Sequence, residues 1–483
     1  MSMVKFDITK LAKFLPTVEK PVYKQSLNKK LAWTGLVLIV YFLMSSQLFG
    51  NVYGVSPDIS SQFKSIQMLF GSEFGTLMTV GIGPLVNASI ILQLLVGSKI
   101  INWDQSDPDD KKKYEVTQKV LSIAFCFLMS FAFVIGGAVP PVNNALPTIL
   151  LVVLQLGMGG LIVMFLDEIV SKYGVGSGIS LFIAAGVIKT IFIGLFSPCI
   201  AGSAAGCVLF SSGNPPIGHV WSVLLYITNS EFGQIIIPLL PIITTLVVFF
   251  IIIFAQGIAI EIPLAFSAVR GFGRRWELKL FYTSNIPVIL TAAMLSMITL
   301  VGGMAARPTL SDPNMKCGFM GCIETTQNGD QPVSGLVYYL SAPYNLLMNA
   351  ITGAFTSKDL VRALTYLTFM VTVCVVFSVF WISTSGMDAE SIANQLIDSG
   401  MQIPGYRRDP KIIKGVLNRY IPPLAVLGGA SIGLLASFAD FTGALGTGTG
   451  ILLTVTIIYQ FYEQLKNERT DEAHPIVRKI LEG

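Results

Sequence analysis

A chain of 483 residues that is 53% hydrophobic and only 12% charged, with a net charge of +4, is too apolar for a soluble domain, where about 25% of residues are charged. Its mean hydropathy of +0.68 requires apolar surface to face lipid. Two histidines and no GxxxxGK[ST] loop give a zinc hydrolase or P-loop ATPase no footing, and neither enzyme chemistry nor a cofactor nor a metal is expected.

Residues 1–30 are rich in lysine and lack the short apolar core of a cleavable signal. Within them, Phe6, Ile8, Leu11, Phe14 and Leu15 share one helical face while Lys5, Lys10 and Lys13 lie elsewhere, the pattern of a helix resting on a membrane surface. Crossing a bilayer core takes about 20 consecutive apolar residues. Runs free of Asp, Glu, Lys and Arg cover 31–57, 74–98, 120–166, 280–306, 363–387 and 441–462, and 231–260 is interrupted only at its ends. The run 120–166 is long enough for two crossings, with Pro140-Pro141-Val142-Asn143-Asn144 as its turn. Shorter candidates at 173–196 and 420–439 bring the total to roughly ten spans. With the N-terminus inside, about 26 of the 32 Lys and Arg fall on inner segments, which sets the orientation.

Ionisable residues gather at span ends. Asp167 and Glu168 adjoin an inner loop, Glu261 closes the sixth span, Asp440 occupies the tight outer turn between spans nine and ten, and Lys189 is expected to snorkel to the outer surface. A secondary solute transporter of ten helices, the alternative reading, would favour a charge pair at the bilayer midplane or a substrate-coordinating broken helix. A purely structural scaffold would not need the polar segment 61–73 between the first two spans. Cys126 and Cys374 fall within spans, whereas Cys199, Cys207, Cys317 and Cys322 fall on outer loops. Disulfides Cys317–Cys322 and Cys199–Cys207 are one open pairing there, and the Cys-Gly-Phe-Met-Gly-Cys spacing does not suit a zinc knuckle.

Five stretches, in order along nearly the whole chain, resemble the SecY family, the alpha subunit of the Sec translocon. They are Gly81-Ile82-Gly83-Pro84 with Leu94-Leu95-Val96-Gly97-Ser98; Leu166-Asp167-Glu168 through Gly176-Ser177-Gly178-Ile179; Tyr282-Thr283-Ser284-Asn285-Ile286-Pro287; Tyr420-Ile421-Pro422-Pro423; and Gly443-Ala444-Leu445-Gly446 with Thr449-Gly450. The likeness favours the archaeal and eukaryotic branch. It implies an all-α membrane protein of ten transmembrane helices in two pseudo-symmetric five-helix halves around a central pore, with a re-entrant plug helix. On this plan 1–30 is a cytosolic segment, 31–200 the N-terminal half, 201–231 an external hinge loop, 232–465 the C-terminal half and 466–483 a cytosolic tail.

By the same resemblance the pore ring falls on Ile82, Val86, Ile179, Ile183, Ile289 and Leu453; the spacings Ile82/Val86 and Ile179/Ile183 place each pair on one helix face. Such an apolar constriction gates by dewetting and widens around a chain. The plug is expected about residues 61–73, on Lys64, Ser65, Ile66, Gln67, Met68, Leu69, Phe70, Gly71, Ser72 and Glu73. Relatives tend to carry an arginine just before the Gly-Thr-Leu that opens the second span, where this chain has Glu73-Phe74. Pro84 is expected to kink its helix. A lateral gate for apolar segments implicates Asn87, Gln93, Met129, Ser130, Thr291, Ser296 and Met297, with the two methionines making it more apolar than usual. Arg270, Arg274, Arg275, Arg407 and Arg408 are the expected docking residues for a ribosome, through its RNA, or for a cytosolic ATPase motor. The resemblance further implies gamma (SecE-like) and beta small membrane subunits, passage of signal sequences and nascent polypeptides, contact with membrane lipid, and an archaeal cell membrane in preference to the endoplasmic reticulum.

Overall fold

A computed structural model describes residues 17–472 apart from 24, 47, 57–72, 99, 102, 104–106, 144, 200–215, 230–231, 267–272, 282–284, 309–314, 327–328, 344–345, 399–400 and 403–408. The expected surface helix at 4–15 lies outside the described residues.

The charge-free runs fold as helices because a backbone in hydrocarbon must satisfy its hydrogen bonds internally. In chain order they are α1 (Leu27–Met44), α2 (Gly83–Gly97), α3 (Pro108–Ile135), α4 (Leu146–Tyr173), α5 (Gly178–Phe196), α6 (His219–Thr228), α7 (Ile236–Gln256) and α8 (Ile286–Ala305). Then follow α9 (Leu336–Leu340), α10 (Leu346–Thr352), α11 (Ser357–Thr384), α12 (Ala389–Asp398), α13 (Pro410–Leu417), α14 (Ile421–Phe441) and α15 (Gly448–Glu472). Among the described residues, eight helical stretches are long and apolar enough to cross a membrane.

The two remaining expected spans, α2 and α15, fall short for a physical reason. Helix α2 has 15 residues, about 22 Å at ~1.5 Å per residue, and the stretch ahead of it is irregular. That stretch is buried almost throughout from Phe74 to Ile82, the condition under which non-helical backbone is tolerated at membrane depth. Helix α15 is buried at every position from Gly448 to Ile457 and becomes charged from Glu463, so its first ten residues face protein rather than lipid. Pro84 sits in the first turn of α2, where its missing N–H costs no intrahelical bond, so it starts the helix and no kink arises from it.

Helices α1–α5 pack among themselves, as do α8, α11 and α14; α15 lies against α5 and α7, and α2 lies against α8 and α11. The two groups therefore meet along two seams, α5/α15 and α2/α8/α11. Helix α6 falls inside the stretch 201–231 expected as a hinge loop, and α15 runs past 465 to Glu472.

Loops add strands that hydropathy did not foretell. Strands β1 (Ala259–Phe266) and β2 (Gly273–Lys279) form a hairpin, and β7 (Met401–Gln402) pairs with β1 through Ala265↔Gln402 and Phe266↔Met401. Glu261 thus lies in a strand rather than at the end of a span. The amphipathic α12 and α13 close a second small core with Leu278, Ile392, Leu396, Ile413 and Leu417. At the other end of α8, strands β3 (Arg307–Pro308), β4 (Met315–Gly318), β5 (Gly321–Thr326) and β6 (Gly329–Gly335) form an antiparallel sheet.

Candidate functional site

The six aliphatic residues come from four separate pieces of chain. Ile82 precedes α2 and Val86 is one turn inside it; Ile179 and Ile183 are on α5, Ile289 on α8 and Leu453 on α15. Ile82, Ile183 and Leu453 are 0% exposed, Val86 3% and Ile289 7%. All five belong to one contiguous apolar cluster, and Ile179, half-buried, packs against it.

Two carboxylates fix the helices that present them. Asp167, near the end of α4, accepts the main-chain N–H of Ile179 at 2.8 Å, holding the first turn of α5. Asp440, in the last turn of α14, accepts the N–H of Thr449 at 2.9 Å and its hydroxyl at 2.5 Å, and also the Tyr366 hydroxyl of α11 at 2.8 Å. Each negative charge meets the positive end of a helix dipole. Asp440 is therefore buried at the junction of α14 and α15, where the ninth span turns into the tenth. Neither role was foreseen from sequence. The one available signal was an acidic residue ahead of a Gly-rich helix start, in Gly176-Ser177-Gly178 and Gly446-Thr447-Gly448.

The expected gate residues split between contacts across the seam and contacts within a helix. Asn87 of α2 donates from Nδ2 to Met129 Sδ of α3 at 3.3 Å and lies 3.9 Å from Met297 Sδ of α8, so three of them meet. Sulfur is a weak acceptor, and such contacts hold a seam loosely. Thr291 donates to Pro287 O at 2.8 Å and accepts from Cys374 Sγ of α11 at 3.3 Å. Ser130 turns inward to Cys126 O at 2.7 Å. Gln93 is buried, and its Oε1 has no partner among the described residues. Ser296 is half-buried on α8.

Lys189 pairs with Glu73, and both side chains remain partly exposed. At the opposite end of α4, Glu168 bridges Lys119 at 2.9 Å and Lys172 at 2.6 Å.

The SecY family model matches residues 76–462. The chain belongs to the SecY family. It is similar to the protein translocase subunit SecY of Methanococcus vannielii, 41% identical over 474 residues, covering 98% of this chain and 99% of the relative. The SecY subunit of Methanocaldococcus jannaschii is 40% identical over 471 residues, covering 97% of each. Among solved structures, a protein-conducting channel superposes with a TM-score of 0.79 at 40% identity, covering 97% of this chain and 98% of that one. Sec61 in the canine ribosome–channel complex from the endoplasmic reticulum gives 0.77 at 39% identity, with the same coverage. Like other SecY-family channels, this is an integral membrane protein.

Of the residues the SecY likeness marks for docking, Arg274 and Arg275 lie on β2, opposite Leu264 and Pro263 of β1; Arg270, Arg407 and Arg408 lie outside the described residues. Strand β7 links the two loops that carry these arginines into one sheet. Of the plug stretch, Glu73 is described and Lys64 to Ser72 lie outside. Cys317 and Cys322 are disulfide-bonded across the β4–β5 turn; Cys199 is disulfide-bonded, and Cys207 lies outside the described residues.

Proposed function

We propose that this SecY-family chain is the central pore of a protein translocase, passing unfolded polypeptides along its axis and releasing apolar segments sideways into lipid. The observation that carries the reading is that Ile82, Val86, Ile183, Ile289 and Leu453, from four chain segments, all lie in the main buried apolar core, with Ile179 packed against it. With no polypeptide present, aliphatic side chains at such a constriction exclude water and therefore ions; they make no directional bonds, so they part around a chain of any sequence. Asp167 and Asp440 position two of the ring helices by their first turns.

The seam of α2 and α3 against α8 and α11 is the lateral gate. Asn87 held by two thioethers is weakly bonded, and an apolar segment loses little by displacing it. The threshold of hydrophobicity for entry is therefore low. Replacing Met129→Glu gives Asn87 a strong acceptor and raises the threshold; a membrane-insertion assay with a graded series of segments reads this, and an unchanged or lower threshold contradicts it.

The sheet of β1, β2 and β7, with the basic loops it joins, is the cytosolic docking face for a ribosome or an ATPase motor. Guanidinium groups there suit phosphate, so ribosome binding weakens with salt. The basic inner segments put both termini in the cytosol, in an archaeal cell membrane, with SecE/gamma-type and beta-type subunits alongside. The solute-transporter alternative is not favoured, since the chain belongs to the SecY family and superposes on a protein-conducting channel along almost its whole length. Reconstitution with a precursor polypeptide tests the proposal, since precursor must cross into vesicles; small-solute counterflow without precursor transport would overturn it.

A further inference from the structure

The ion pair between Lys189 and Glu73 joins residues 116 apart in sequence. Glu73 opens the irregular stretch that leads through Ile82 into α2, and Lys189 is on α5 six residues beyond Ile183, about 9 Å further along the helix axis. The pair therefore lies on the far side of Ile183 from Ile179.

Glu73 is itself held in place. Its carbonyl accepts from Thr76 Oγ1 at 2.7 Å and Thr79 Oγ1 at 3.3 Å, and its N–H donates to Met78 O at 3.3 Å. The stretch it opens is bound to the α1 side through Leu77 N–H to Gly50 O at 2.7 Å and Val52 N–H to Gly75 O at 3.0 Å. It also lies hard against α4, where a Cβ on Gly159 would come within 2.0 Å of Leu77 O. Among its contacts with α5 is the ion pair.

That link matters because the two ring helices of this half keep different company. Helix α2 packs on α3, α8 and α11, whereas α5 packs on α1, α4, α6 and α15. Apolar packing in the shared core brings the two together without fixing a direction, and the ion pair adds a charged, directional contact between them. We propose that Lys189 and Glu73 are a positioning pair, a charged staple that keeps Ile82 and Val86 facing Ile179 and Ile183 so that the resting ring excludes ions. The inference rests on the pore reading of these aliphatic residues.

The side chains are 33% and 34% exposed, so solvent screens the pair in part. An interaction of about 1 kcal/mol shifts a two-state ratio by roughly fivefold, and that is the expected size of the effect. The readout is the ion conductance of the intact channel in planar bilayers with no polypeptide present. Lys189→Glu and Glu73→Lys, singly, raise resting conductance about fivefold at equal protein. The double swap brings it back to within about twofold of the parent, and Lys189→Arg leaves it unchanged. Should either charge reversal fail to assemble, Lys189→Gln removes one charge without adding another and carries the same expectation.

Ile183→Gly, made in parallel, separates the two ideas. If Ile183→Gly leaks while the Lys189 and Glu73 variants stay as tight as the parent, the staple is wrong and the ring stands. If the single variants leak but the double swap does not restore the seal, the effect is not pairing and the proposal is overturned. If Ile183→Gly is also tight, the ring reading falls and the staple falls with it.

Discussion

Asp167 at the end of α4 receives the start of α5, and Asp440 at the end of α14 receives the start of α15. By chain order these are the passages from the fourth span to the fifth and from the ninth to the tenth. Each delivers a helix carrying ring residues. Both junctions bring a backbone hard against a glycine: a Cβ on Gly178 would lie 2.5 Å from Asp167 Cα, and one on Gly448 would lie 1.9 Å from the carbonyl carbon of Ala439. They differ in how many helices meet. Asp167 accepts the main-chain N–H of Ile179 in the next helix, while Asp440 also holds Tyr366 of α11, so three helices converge on one carboxylate. The comparison teaches that one device, a carboxylate aimed at a helix start, serves as a simple cap in one half and as a three-way joint in the other.

The largest expected effect tests the tightness of the second junction. Gly448→Ala forces backbone apart on both sides and costs more than about 4 kcal/mol, seen as loss of folded protein after detergent extraction. Gly178→Ala meets backbone at a longer distance and should be milder; equal yields of the two variants would remove the distinction. Next comes Asp440→Ala at about 3 kcal/mol, since it leaves buried hydroxyl and N–H donors without their acceptor. Asp167→Ala should cost about 1–2 kcal/mol, the range for a lost helix cap. Thermal unfolding in detergent ranks the pair, and an Asp167 variant that melts no higher than the Asp440 variant would break the comparison. Tyr366→Phe deletes one donor and keeps the ring, with an expected loss of about 1 kcal/mol. Combined with Asp440→Ala it should add almost nothing, because the two share one hydrogen bond.

Hydropathy made the membrane class and most spans legible, because a charge-free run of span length has few other uses. It overstated α2, whose apolar run from 74 is half helix and half buried irregular backbone, since burial in protein and burial in lipid leave the same apolar signature. The loop strands were missed for a related reason. Short strands such as β7, of two residues, exist only through a partner far along the chain. The ring came from resemblance, and i,i+4 spacing alone could not have singled out Ile183 among the many aliphatic residues of α5. The partners of Asp440 and Lys189 were not foreseen because a charge near a span end reads as topology until its partner is known. Thr449, Tyr366 and Glu73 supply those partners across a chain reversal or between separate helices, where no local pattern records them.

Helix α15 is enclosed by protein from Gly448 to Ile457, yet it is the latest of the ten spans in the order of synthesis. Nine hydrophobic segments must therefore settle around a vacant slot, lined by residues that already avoid water, until this final piece arrives. The bundle is completed like an arch: the keystone goes in last, and a nascent chain halted just short of Gly448 exposes a greasy socket where the finished protein has its centre.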